Sequence, residues 1–189
     1  MEVKRRIKIR TNQYAIGDQM TIKLSGIGKF TATVQKVYND GSALCFFDDC
    51  VARKPMNRNG KNEGGFYEAD LCEWMNTELI KTFPQKILKR MKPVHGNMML
   101  RIPTRGEMFG KDDYSQHYEE EDIKQLPLMK KRRNRICSDL EDDYCWYWLL
   151  NRDVATATSF AIVASGGGAY YYGASSSLGV RPAFIINNL

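Results

Sequence analysis

The chain has 189 residues, 43% of them hydrophobic and 26% charged, with a formal net charge of +6. That length supports one substantial core at an ordinary soluble composition, and no apolar run approaches the roughly 20 residues a membrane helix needs. Five cysteines (Cys45, Cys50, Cys72, Cys137, Cys145) make an odd number without a Cys-x-x-Cys pair, which argues against a disulfide framework and for free thiols in a reducing cytoplasm.

Taken in chain order, MEVKRRIKIR alternates charge with Val3, Ile7 and Ile9. This is a strand pattern with no continuous apolar segment behind it, so no signal peptide is expected. Residues 18 to 48 read as β structure: DQMTIKL, FTATVQKVY and ALCFF are separated by SGIGK and by NDGS, which carries an Asp-Gly turn signal. Gly26, Gly28 and Lys29 in SGIGKF lack phosphate-loop spacing and stand between two strands, so a hairpin turn is expected. FDDCVARKPMNRNGKNEGG, at 47–65, reads as a long loop. The best helix candidate is EADLCEWMNTELIKTF, with Asp70 as N-cap, Glu73 completing a capping box, and Leu71, Trp74, Met75 and Leu79 on one face. Pro84 ends it or opens PQKILKRM, whose Ile87, Leu88 and Met91 make a second, short apolar face. LRIPTRGEMFG reads as a strand running into a turn at Pro103 and Gly106.

Residues 111 to 135 form a charged excursion. The KKRR run at 130–133 lies close to EEED at 119–122 and EDD at 141–143, so local cancellation predicts a solvated surface rather than a nucleic-acid groove. His95 and His117 lack metal-ligand spacing to any partner. The adjacent acids Asp112 and Asp113, and Asp142 and Asp143, diverge on any regular element and read as surface residues. No nucleophile elbow, zincin helix or Ser-x-x-Lys motif is present. The expectation is a protein without catalysis, cofactor, metal, nucleic-acid partner or membrane partner.

The C-terminal segment changes composition abruptly. After Trp148 there is no Lys, Glu, Gln, Met or Trp, although all five occur earlier. These are the amino acids that an AAC or AAT codon cannot yield when only its first two bases change. GGGAYYYGASSSLG, at 166–179, combines Tyr with Gly and Ser, the composition of antibody paratopes, where Tyr gives rigid contact area and small polar residues adapt.

CWYWLL, FAIV, the Gly/Tyr/Ser tract and GVRPAF together resemble the variable region of hypervariable proteins of diversity-generating retroelements, phage or bacterial. The resemblance is strong over about the last 45 residues and looser back to DLCEWMNTEL. It departs at WLLNR, 148–152, where a WLRSP-like motif is usual. It implies a single α+β domain over 1–189 with a C-type-lectin-like, formylglycine-generating-enzyme-like architecture: a twisted antiparallel sheet, two flanking helices and 149–180 as the variable region. It also implies ligand or receptor binding to a protein or cell-surface partner, a surface diversified by adenine mutagenesis, and a place on a phage tail for some members. The late cysteine pair of the related oxidising enzymes is absent. A formylglycine-generating-type enzyme and a nucleic-acid-binding module at 130–135 stand as alternatives.

The expected ligand contacts are Arg152, Asp153, Val154, Thr156 and Thr158, joined by Ile162, Ala164, Ser165, Gly166, Gly168, Tyr170, Tyr171, Tyr172, Gly173, Ser176 and Leu178. Each is reachable from an Asn codon. Between 161 and 172 the even-numbered members alternate with Ala161, Val163, Gly167 and Ala169, so period two predicts one ligand face and one scaffold face. Trp146, Trp148, Phe160, Gly179, Val180, Arg181, Pro182 and Phe184 are the expected framework, with Arg181 paired or hydrogen-bonded if buried.

Overall fold

The computed structural model describes residues 13–111, 117–118, 124–141 and 143–188. The N-terminal strand pattern, the acidic run at 119–122, Asp112, Asp113 and Asp142 lie outside them. The chain is α+β, built mostly from antiparallel strands, with three short α-helices among the described residues.

The first sheet begins with β1 (Gln19–Leu24), β2 (Gly28–Val37) and β3 (Ala43–Phe47), the three strands expected from the sequence. They pair as an antiparallel meander. β4 (Ala52–Lys54) then crosses to the second sheet, a short strand inside what reads as loop.

The helix α1 spans Asp70–Thr77, with Ala69 at the N-cap and no side-chain cap. Asp70 is therefore the first helical residue; its carboxylate accepts the Arg58 amide at 2.9 Å instead of closing a capping box with Glu73. A 3-10 turn at Leu79–Thr82 finishes the segment, and α2 is one turn, Gln85–Leu88. After β5 (Met91–Lys92) and β6 (Leu100–Arg101) comes α3, Arg105–Phe109, where a turn was expected. Here the reciprocal capping box does form, between Thr104 and Glu107. Glu107 also makes a buried, two-pronged ion pair with Arg101 (2.8 Å and 2.5 Å), so the charge of each is matched away from water.

The remaining strands are β7 (Cys137–Ser138), β8 (Tyr144–Cys145), β9 (Tyr147–Arg152), β10 (Ser159–Val163), β11 (Ala169–Gly173), β12 (Leu178–Val180) and β13 (Ala183–Ile186). In place of one sheet there are two large ones and a hairpin. The first runs β1-β2-β3-β13-β5, with β6 also on β13; the second runs β11-β10-β9-β12-β4; β7 and β8 pair alone. Among the described strands, all pairings are antiparallel except β9 with β12.

Period two sorts the inner strands between two apolar clusters. Cys45, Phe47, Trp148, Leu150, Phe160, Ile162, Phe184 and Ile186 enter a large cluster with α1 and the segment after it. Their neighbours Leu44, Phe46, Tyr147, Leu149, Ala161, Val163 and Ala183 enter a second one with Met108, Leu126 and Met129. Of the expected framework, Trp148, Phe160 and Phe184 are fully buried core, and the Trp148 indole donates to the Lys54 carbonyl at 2.8 Å, whereas Trp146 is only half-buried.

Candidate functional site: the tyrosine edge and its cleft

β11 is the edge of the second sheet, and no residue in it is buried. Tyr170, Tyr171 and Tyr172 are 52%, 50% and 39% exposed. Their rings are nonetheless ordered by one another. Tyr170 stacks on Tyr171 with centroids 5.2 Å apart and planes within 6°. Trp146 stands edge-on to Tyr172 at 5.4 Å and tilted to Tyr170 at 6.0 Å. Offset and edge-to-face geometry is what aromatic quadrupoles favour, so these exposed rings form a prearranged surface.

The turn that presents them, 164–168, is fixed from behind. Ala164 accepts from the Gly167 amide, and Gly168 accepts from that of Ala164. Arg132 Nε donates to the Gly166 carbonyl at 2.6 Å, and Arg135 Nε to the Gly167 carbonyl at 2.9 Å. Gly167 has φ 76°, and a Cβ there would sit 2.8 Å from the Arg132 carbonyl oxygen. Only glycine meets both conditions.

Beside the rings lies a cleft of about 540 Å³, within the range of small-ligand sites. Tyr170, Tyr171, Thr156, Arg105, His117, Tyr118 and Asp153 are among the residues that line it. The Arg105 guanidinium lies 5.0 Å from the Tyr118 ring. Among the described residues, no group of three or more His, Cys, Asp or Glu is placed to hold a metal ion.

The loop after β9 is held by a residue far away in sequence. The Asn62 carboxamide, buried, donates to the carbonyls of Asp153 (2.8 Å), Thr156 (2.8 Å) and Ser159 (3.0 Å). Asp153 is buried, and its carboxylate accepts the Ala155 amide at 2.9 Å. Val154, Thr156 and Thr158 project outward from this loop, while Arg152 is half-buried at its start.

Of the sixteen expected contacts, the structure gathers Asp153, Thr156, Tyr170 and Tyr171 at the cleft, with Tyr172 beside them. Ala164, Ser165, Gly166 and Gly168 form the turn, half-buried except for exposed Gly166. Gly173 and Ser176 are half-buried in the next turn, where the Ser176 amide donates to the Gly173 carbonyl. Two assignments are corrected. Ile162 is 0% exposed and Leu178 is 7% exposed, both inside the larger cluster, so neither side chain is open to a ligand. The physical reason is position: β10 and β12 are inner strands with core on both sides, so the expected alternation of a ligand face and a scaffold face does not arise there.

Arg105, His117, Tyr118 and Asn62 were missed. The T-x-x-E signature at Thr104 marks the start of α3 and so the placement of Arg105. Asn62 sits in a polar loop with no local signal.

The match with a family model covers residues 40–188, and the chain belongs to that family, described as a domain of unknown function (DUF6273). No curated protein and no solved structure matches the chain.

Proposed function

We propose that this protein is a non-enzymatic ligand- or receptor-binding protein of C-type-lectin-like architecture, whose ligand surface is the β11 edge with its cleft. We further propose that this surface is diversified by adenine mutagenesis from a retroelement. The observation that carries the reading is a row of three adjacent, half-exposed tyrosines, Tyr170 stacked on Tyr171 and Tyr172 edge-on to Trp146, set beside the fully buried strand β10. A monomer gains nothing from ordering three rings in water. A binding surface does, because rigid aromatic anchors dominate interface energy. Two arginines of the 130–135 run are spent on the carbonyls of the tyrosine turn, which supports a structural part for that run over a nucleic-acid contact.

Comparing the gene's 3′ end across independent isolates, together with the DNA beside it, tests this. The expected outcome is substitution concentrated at codons for the outward residues of 152–176, at template adenines only, with a near-copy next to a reverse transcriptase. Uniform silent variation with no such copy overturns the diversification.

A further inference from the structure

Three of the five cysteines meet at one point. Cys50 follows β3, while Cys137 and Cys145 face each other as register partners across the β7–β8 hairpin. The Cys145 thiol donates to Cys50 Sγ at 3.4 Å, and Cys50 is in turn hydrogen-bonded to Cys137. All three are buried. The close approach is built into the backbone opposite. A Cβ on Gly179 would stand 2.6 Å from Cys50 Sγ and 2.9 Å from Cys145 Sγ, so any other residue at that position would force the sulfurs to move.

A cation lies beside the cluster. Arg181 is 2% exposed, its Nε donates to the Phe47 carbonyl at 2.6 Å, and Nη1 donates to the Tyr147 hydroxyl at 3.1 Å. Among the described residues, no carboxylate forms an ion pair with it. Burial pushes the Cys137 thiol up, but the hydrogen bond from Cys50 and the Arg181 charge outweigh it and hold Cys137 below its ordinary value. The negative charge of Asp49 and the Asp48 carbonyl, which accepts from Cys137 Sγ at 3.1 Å, favour the protonated form. Burial pushes Cys50 the other way, well above its ordinary value. The cluster therefore contains one thiol inclined to ionise and one that keeps its proton.

Cys137 itself is buried, but its neighbours line a pocket. A pocket of about 390 Å³ is lined by Asp48, Ile136 and Arg181, which contact or adjoin Cys137.

We propose that Cys50, Cys137 and Cys145 form a thiol–disulfide centre in which a small hydroperoxide, arriving through the Arg181 pocket, oxidises Cys137 and Cys50 resolves the product. The Cys137 thiolate attacks one peroxide oxygen and the O–O bond breaks. Water or an alcohol leaves with a proton, and Cys137 becomes a sulfenic acid. The Cys50 sulfur then attacks the Cys137 sulfur; the S–O bond breaks, and hydroxide leaves as water with the Cys50 proton. Two thiols lose two electrons, which reduce the peroxide. Cys145 can next displace Cys137 from Cys50 by exchange, moving the bridge and returning a Cys137 thiolate.

The test uses the full chain, stoichiometric hydrogen peroxide, rapid alkylation under denaturing conditions and peptide mass mapping. The expected result is a bridge from Cys50 to Cys137 or Cys145, with alkylation of Cys50 falling by about an order of magnitude while Cys45 and Cys72 stay alkylated. Cys50→Ala, checked for folding by its melting curve, should leave Cys137 as a sulfenic acid captured by dimedone. Should that variant fail to fold, Cys145→Ala must still give the Cys50–Cys137 bridge. Equal alkylation of all five cysteines after peroxide overturns the proposal, as does oxidation of Cys45 or Cys72 ahead of the cluster, or absence of the bridge in Cys145→Ala.

Discussion

β10 and β11 lie side by side in register, Phe160 opposite Tyr172 and Ile162 opposite Tyr170. Every residue of β10 is buried and no residue of β11 is. Their compositions do not explain this, since three tyrosines are as large and as apolar in body as the residues they face. Place in the sheet does. β10 has β9 on one side and β11 on the other, with an apolar cluster against each of its faces; among the described residues, β11 has no strand beyond it. An inner strand spends its side chains on stability, and its edge neighbour leaves them available for recognition.

The sharpest way to break that comparison is to truncate the inner side. Trp148→Ala should cost about 3–5 kcal/mol of folding stability, and Ile162→Ala about 2–5 kcal/mol, read by chemical denaturation. A loss under 1 kcal/mol from either would mean that the second sheet does not carry the core (about one buried methylene's worth).

Next in size is the support of the loop. Asn62→Ala removes one donor from three carbonyls and should cost about 1–3 kcal/mol. Faster amide exchange at Ala157 to Ser159 should accompany it, while β11 keeps its protection. Loss of protection throughout the second sheet would show that the loop and the sheet open together.

Alkali comes third. Burial pushes Cys45 up to about 12 and Cys72 up to about 11, from an ordinary 9.0. The unfolded chain therefore releases thiol protons above about pH 9 that the folded chain still holds, and the sign follows from linkage. Their stabilising effect is complete below pH 9 and is lost as pH rises through 11 to 12, at up to about 1.4 kcal/mol per unit and per thiol. Melting midpoints at pH 8 and 10 measure it; Cys45→Ala should show a shallower fall, and an unchanged slope would refute the assignment.

The smallest expected effect on folding is at the edge. Tyr171→Ala should change stability by no more than about 0.5 kcal/mol while weakening ligand binding by roughly 2 kcal/mol, about thirty-fold. A variant that unfolds, or one that binds undiminished, removes the division of labour between the two strands.

The legible part of this molecule was the part written locally. The meander β1 to β3 shows in alternating apolar residues and an Asp-Gly turn, and burial of Trp148, Phe160 and Phe184 follows from their size and setting. Exposure of the three tyrosines was readable from their company of Gly and Ser. The burial of Ile162 and Leu178 was not, because it depends on which strands lie next to theirs, and that is fixed by pairings between distant segments. Likewise Asn62, Arg132 and Arg135 act on backbone carbonyls about thirty or more residues away, so no window of sequence contains both partners. Local chemistry also differs from the sequence pattern at two places. Asp70 binds across a loop to Arg58, and the real capping box lies at Thr104.

β12 and β13 are separated by Arg181 and Pro182 alone, yet each is an inner strand of a different sheet. β13 pairs with β3, near residue 45, and β12 with β4, near residue 53. Neither sheet can close until residues 178–186 have searched back across most of the chain, a large loop-closure entropy to overcome before any compensating contact forms. Folding should thus be slow for a chain of this size. Once it is complete, the same short segment ties the two sheets together, so they should melt in a single transition.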